Sequence, residues 1–171
     1  FWGVEQDIIC AGNDEAIAFL KQILDDVLDI FDNVFIHCGG DECPRTRWEV
    51  CPKCQKRIAD EGLKDTNQLQ CWFTRVFAEY LQSKGRRIVG WDEILTGDLP
   101  FPNSTVIMTW RGGSAVKKAA ECGYDIVTSP NGYLYLDYQQ FRAPEPYQYI
   151  GGFITTLTIF NYNPTVDLTP E

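Results

Sequence analysis

Along most of this chain, segments with the apolar spacing of a helix alternate with short apolar runs, and each run ends in a polar or aromatic cluster. Ile17, Leu20, Ile23, Leu24, Val27, Leu28 and Phe31 recur at the three- and four-residue steps of one helical face. Asn13 or Asp14 is placed to cap that helix, and Asp32-Asn33 ends it. Val34-Phe35-Ile36-His37-Cys38 then reads as a strand buried in a parallel sheet. Residues 43–54 read as loop and 55–60 as a short helix stopped near Gly62. A second long helix is expected over 65–83, with Leu69, Trp72, Phe73, Val76, Phe77, Tyr80 and Leu81 on its apolar side and Gly85 as its stop. Further strands are expected at 87–91, 105–110 and 124–128, with a helix over 115–121 ended by Gly123. After Pro130 the chain changes to an aromatic segment with several Pro and Gly residues. It reads as a long loop with one short strand at Leu134-Tyr135-Leu136.

Alternation with short connections specifies an α/β fold built from βαβ units, either doubly wound or a barrel. A doubly wound nucleotide-binding sheet needs a Gly-rich turn entering a helix, and no such turn is present. In a barrel the chemistry collects at the C-terminal ends of several strands. Here those ends carry Gly39-Gly40-Asp41-Glu42, Trp91-Asp92-Glu93 and Trp110-Arg111, which favours the barrel. An eight-stranded barrel takes about 250 residues, whereas this chain has 171 and about four countable strands. The expectation is a partial (β/α)8 barrel, with residues 1–171 as one piece of a catalytic domain cut from a longer chain.

Charge narrows the partners. Fifteen Lys and Arg against 24 Asp and Glu leave a net charge of −9, the wrong sign for neutralising a phosphate backbone, so nucleic acid is excluded. No apolar run approaches the roughly 20 residues a membrane span needs. Seven cysteines form an odd set that implies no disulfide framework. Cys51-Pro52-Lys53-Cys54 has metal-knuckle spacing and Cys43 lies close, but no second CxxC follows and the sole histidine, His37, lies beyond the acidic pair. That pattern reads as a local disulfide or reduced thiols in preference to a metal site.

The residues that carry chemistry begin at His37-Cys38-Gly39-Gly40-Asp41-Glu42. Paired carboxylates suit acid-assisted glycoside cleavage, in which one group holds a proton while the other stays ionised. A neighbouring aspartate raises the pKa of a partly buried glutamic acid, and the two glycines let the backbone leave the strand so that both side chains can enter one cavity.

This hexapeptide resembles the His-x-Gly-Gly-Asp-Glu signature of the family 20 glycoside hydrolases, the β-N-acetylhexosaminidases. Gly90-Trp91-Asp92-Glu93-Ile94, Thr109-Trp110-Arg111-Gly112 and Tyr133-Leu134-Tyr135-Leu136-Asp137 resemble the family's next strand ends. The resemblance implies that Glu42 is the general acid/base and that Asp41 orients the substrate's acetamido group, which acts as the nucleophile. It further implies that Trp91 and Trp110 wall the acetamido pocket, that Tyr135 binds the acetamido oxygen and Asp137 a sugar hydroxyl, and that His37 supports the pair. Asp92 and Glu93 are read as structural. The segments matched look like the fourth to seventh βα units; the family's sugar-binding arginine and its Trp-x-Glu strand have no counterpart in this sequence. The implied activity is hydrolysis of terminal β-linked N-acetylhexosamine by substrate-assisted retention, with N-acetylhexosamine-containing glycans as partners, no metal or organic cofactor, and a secreted, periplasmic or lysosomal setting. A non-catalytic carbohydrate-binding module using the same aromatic pocket is the alternative. An incomplete barrel is also expected to self-associate through unpaired strand edges.

Overall fold

The computed structural model describes residues 4–140, 152–165 and 168. The chain divides into two compact units, Phe1–Val106 and Ile107–Glu171. Tyr147 and Tyr149, part of the expected aromatic loop, lie outside the described residues.

In the first unit, helix α1 (Asp14–Ile30) starts where the Asn13 side chain accepts from the Glu15 amide, with Asp14 and Glu15 at the positive end of the helix dipole. Its stop comes earlier than Asp32-Asn33, because Phe31 is already extended. Strand β1 (Phe35–His37) is shorter than expected and, against expectation, not buried: only Ile36 is covered, while Phe35 is 52% exposed. A mostly apolar run reports that a strand can be buried, but the covering elements must be there to do it. Residues 43–54, expected as loop, instead form α2 (Thr46–Val50) and the opening of α3 (Pro52–Asp60). Trp48 anchors α2 at 3% exposure and donates its indole N–H to the Ile9 carbonyl at 2.9 Å. Pro52 occupies the first turn of α3, where its missing N–H costs nothing.

Helix α4 (Thr66–Ser83) is the spine of this unit. Asp65 caps it by accepting from the Gln68 amide at 2.9 Å, and Leu69, Cys71, Trp72, Phe77, Ala78 and Leu81 are buried along it. Gly85, at φ +72°, ends the helix as expected. Strand β2 (Arg87–Trp91) pairs with β1 in parallel, with Phe35 opposite Arg87, Ile36 opposite Ile88 and His37 opposite Val89. The ladder continues past the strand ends, as the Cys38 amide donates to the Val89 carbonyl and the Trp91 amide to the Gly39 carbonyl, both at 2.9 Å. A single 3-10 turn, Asp92–Leu95, follows β2 and buries Ile94 completely.

In the second unit, β3 (Val106–Thr109) and β4 (Asp125–Thr128) are sheet neighbours connected by α5 (Gly113–Glu121). Ile107, Val116, Ala119 and Ile154 form its buried apolar set. The expected strand at Leu134-Tyr135-Leu136 is absent: α6 (Asn131–Leu134) begins after Pro130 and runs into the turn that holds Tyr135. β-favouring aromatics there yield to a helix start fixed by proline. A further short helix, α7 (Thr156–Phe160), is closed by a capping box between Thr155 and Thr158. The α/β class and parallel pairing expected from the alternation are those observed. Among the described residues, no helix is long and apolar enough to cross a membrane.

Candidate active site

The acidic pair sits where β1 runs out. Gly39 at φ +71° and Gly40 at φ +98° take the chain through backbone conformations that other residues avoid. Glu42 itself lies at φ +44°, an uncommon conformation for a residue with a Cβ, costing on the order of 1 kcal/mol. Such strain persists only where neighbours hold it, and here two braces are visible. Ile94 closes against the loop from the 3-10 turn: a Cβ on Gly40 would meet its Cγ2 at 2.5 Å, and one on Gly90 its Cδ1 at 2.7 Å. From α4, the buried Gln70 donates its amide to the Gly40 carbonyl at 2.7 Å and accepts from Arg45 Nη1 at 2.5 Å. Three separated stretches of sequence thus hold the turn that presents Asp41 and Glu42.

The parallel register brings His37 and Trp91 together, with ring centroids 5.0 Å apart in an edge-on arrangement. Nδ1 of His37 accepts from the Gly39 amide at 3.1 Å, which fixes the neutral ring's proton on Nε2 and ties the imidazole to the turn. Desolvation lowers the His37 pKa, while the negative charge of Asp41 pulls in the other direction. His37 is therefore not the enclosed core histidine that a strand position suggests; it is exposed and couples the acidic turn to the tryptophan. A cavity of about 710 Å³ in the first unit is lined by His37, Asp41 and Glu42 at one side and by Leu20, Phe73 and Phe77 at another.

Asp41 and Glu42 are both exposed, so the partial burial expected for the glutamic acid is not present in this chain. Both follow the left-handed turn at Gly39 and Gly40, at the open side of the cavity they line. Asp92 and Glu93 behave otherwise, at 3% and 9% exposure inside the 3-10 turn. Their burial suits the structural role read from the sequence.

The second unit gathers another set. Trp110 and Tyr135 are stacked with centroids 6.4 Å apart and planes at 21°, and Tyr138 meets Tyr135 edge-on at 5.8 Å. The Trp110 carbonyl accepts from the Asn131 amide at 2.9 Å, so the end of β3 is pinned to the start of α6 and with it to the turn bearing Tyr135. Asp137 is exposed in that turn. The sequence reading missed Gln70. Its only signal is a polar residue one helical step from Phe73 and two from Phe77 on α4, where an amide has to be buried and therefore partnered.

The family model for the glycosyl hydrolase family 20 catalytic domain matches residues 1–170. A beta-hexosaminidase of Porphyromonas gingivalis is 45% identical over 165 residues, 95% of this chain and 21% of that protein. One from Vibrio furnissii is 37% identical over 154 residues, 90% of this chain and 25% of its own length. Among solved structures, the beta-N-acetylhexosaminidase from Bacteroides fragilis aligns with a TM-score of 0.76 at 32% identity, over 90% of this chain and 37% of that one. The GH20 exo beta-N-acetylglucosaminidase from Vibrio harveyi in complex with N-acetylglucosamine aligns with a TM-score of 0.81 at 27% identity, over 96% of this chain and 26% of that one. The chain spans about a fifth to a quarter of the length of these curated relatives.

Proposed function

The chain belongs to glycosyl hydrolase family 20, and from that premise we propose that the full-length protein removes terminal β-linked N-acetylhexosamine from glycans, with residues 1–171 forming part of its catalytic domain. The observation that carries the reading is the strained Gly39-Gly40-Asp41-Glu42 turn at the end of β1, held against the His37–Trp91 pair. In this reading Glu42 donates its proton to the departing glycosidic oxygen while the substrate's acetamido oxygen, oriented by Asp41, attacks the anomeric carbon. The C–O bond to the leaving group breaks as the oxazolinium ring closes. Water then opens that ring at the anomeric carbon and returns a proton to Glu42, so configuration is retained.

Proton donation by a carboxylic acid near neutral pH requires it to be shielded from water. In the full-length protein, bound substrate and the rest of the catalytic domain supply that shielding. Trp91 and Trp110 are assigned to the walls that take the acetamido methyl and the sugar faces, Tyr135 to the acetamido oxygen and Asp137 to a sugar hydroxyl; indole and phenol rings suit such surfaces because one face is apolar and one edge polar. His37 is assigned to holding the turn. The binding-module alternative leaves the strained acidic turn without a purpose.

Glu42→Gln in the full-length protein tests the assignment. Loss of acid assistance costs about 100- to 10,000-fold on glycosides whose leaving oxygen needs a proton, and far less on aryl glycosides with an acidic phenol. Equal losses on both substrates would remove Glu42 from the role. Asp41→Asn slows both substrate classes, because ring closure displaces either leaving group; unchanged activity would sink that half of the assignment.

A further inference from the structure

The first unit contains a second constellation, whose members flank the acidic turn in sequence and are unused by the hydrolytic chemistry. Cys10, 41 residues before Cys51 and 44 before Cys54, places its sulfur 3.7 Å from the first and 3.6 Å from the second. All three sulfurs lie within 4.8 Å of one another, and no disulfide joins any of them. Four ligands placed tetrahedrally around zinc at the usual Zn–S length of about 2.3 Å stand about 3.8 Å apart. A disulfide needs about 2.05 Å and uses only two of three sulfurs. The two spacings from Cys10 match the first geometry, and the three sulfurs together lie within 4.8 Å. We propose that Cys10, Cys51 and Cys54 form a three-thiolate binding site for a zinc ion.

The backbone around the sulfurs is arranged for that purpose. Cys51 is the N-cap residue of α3 and Cys54 lies in its first turn, so the knuckle Cys51-Pro52-Lys53-Cys54 brings both sulfurs to one helix start. The Gly12 amide is directed at the Cys54 sulfur. Gly12 is indispensable to this approach: a Cβ there would lie 2.2 Å from the carbonyl carbon of Lys53 and 2.5 Å from the Cys54 nitrogen. The stretch Cys10-Ala11-Gly12 therefore lies flat on the knuckle, with Ala11 and Cys54 both fully buried. Among the described residues no fourth Cys, His or carboxylate joins the cluster. Soft thiolate donors select zinc over calcium or magnesium. Each Zn–S bond replaces a thiol proton, so uptake releases protons and weakens as pH falls.

The site's role is mechanical. It closes the segment running from Cys10 through α1, β1 and the acidic turn to α3 into a loop fastened at its base, beside the Trp48–Ile9 hydrogen bond. This inference stands apart from the hydrolase assignment, since neither Asp41 nor Glu42 takes part.

The test uses the full-length protein purified without reductant or chelator. Elemental mass spectrometry is expected to find about one zinc per chain. Apo protein titrated with Co²⁺ is expected to develop a thiolate-to-cobalt charge-transfer band. Cys10→Ser, Cys51→Ser and Cys54→Ser each weaken Co²⁺ binding by at least the roughly 10- to 100-fold typical of even an outer-shell change, whereas Cys122→Ser, at an exposed position, leaves it unchanged. Gly12→Ala, which keeps every sulfur but separates the two strands of the site, weakens binding as well. Two results overturn the proposal without relying on any variant: no charge-transfer band when the reduced wild-type protein meets Co²⁺, or a peptide map linking Cys10 to Cys51 or Cys54 by a disulfide in protein as isolated.

Discussion

Replacing Gly40 by alanine asks whether the acidic pair is aimed by the backbone beneath it. Gly40 sits at φ +98°, and a Cβ there would lie 2.5 Å from Cγ2 of Ile94, a residue with no exposed surface. The backbone conformation costs an alanine about 1 kcal/mol. Forcing a methyl against a packed isoleucine adds about 2 kcal/mol, and Ile94 has little room to yield because its Cδ1 already fills the space over Gly90. A sum of about 3 kcal/mol, at 2–4 °C per kcal/mol for a domain of 150–250 residues, lowers Tm by roughly 6–12 °C. Gly62→Ala supplies the reference. Its φ is +64°, yet no heavy atom lies within 4 Å of an added Cβ, so only the conformational cost of about 1 kcal/mol remains and Tm falls by roughly 2–4 °C. The same collision displaces the Gly40 carbonyl from Gln70 and shifts Asp41 and Glu42; a displacement of about 1 Å at reacting groups costs on the order of 100-fold in turnover. Calorimetry and hydrolysis of a chromogenic N-acetylglucosaminide by the full-length protein read both effects. If the two variants melt alike, or if Gly40→Ala keeps wild-type turnover, the turn is not held by the Ile94 contact and the reasoning fails.

His37 titrates, by the chemical shift of its ring protons, with a midpoint below its ordinary 6.5; because the folded value lies under the unfolded one, its contribution to stability is complete above pH 6.5 and is lost as pH falls from there through the folded value. Asp41→Asn removes the charge that opposes this shift and moves the midpoint lower still, and an upward movement would separate the two side chains. Thr109→Val removes a fully buried hydroxyl with no partner among the described residues and raises stability by about 1 kcal/mol in urea unfolding; a clear loss would reveal a partner for that hydroxyl. The 171-residue chain expressed alone self-associates through its exposed apolar side chains, among them Phe19, Phe31 and Phe35, and gives no turnover; a monodisperse monomer by light scattering with a cooperative melt would contradict this.

Long-period features of this molecule were readable from the sequence, and the reason is redundancy. Helices α1 and α4 each repeat an apolar face over four or five turns and carry a side-chain cap, so one ambiguous residue changes nothing. Short elements lack that redundancy. Helix α2 has five residues and a single buried anchor, Trp48, and nothing in its composition separates it from loop. At Leu134-Tyr135-Leu136 a local preference for strand loses to Pro130, whose fixed φ starts a helix one residue later. The run that became β1 was recognisable as a strand, but its exposure depends on what lies beside it, which a local pattern does not encode.

The two clusters of polar chemistry divide along the same line. His37, Asp41, Glu42 and the glycines between them are contiguous, so they stand in the sequence as one motif, and its resemblance to the family 20 signature is what singles them out; Gly39 and Gly40 both take positive φ angles there. Gln70 and Cys10 reach their partners across 30 and 41 residues. For Cys10 the consequence is a change of chemistry: a lone CxxC reads as a disulfide or a pair of thiols because two ligands hold a metal weakly, whereas a third sulfur within 4 Å of both makes a donor set of the kind zinc occupies. The deciding residue for that third sulfur is not a cysteine at all. Gly12 alone permits the backbone approach that delivers Cys10, and a glycine two positions after a cysteine announces nothing until the peptide it lies against is known.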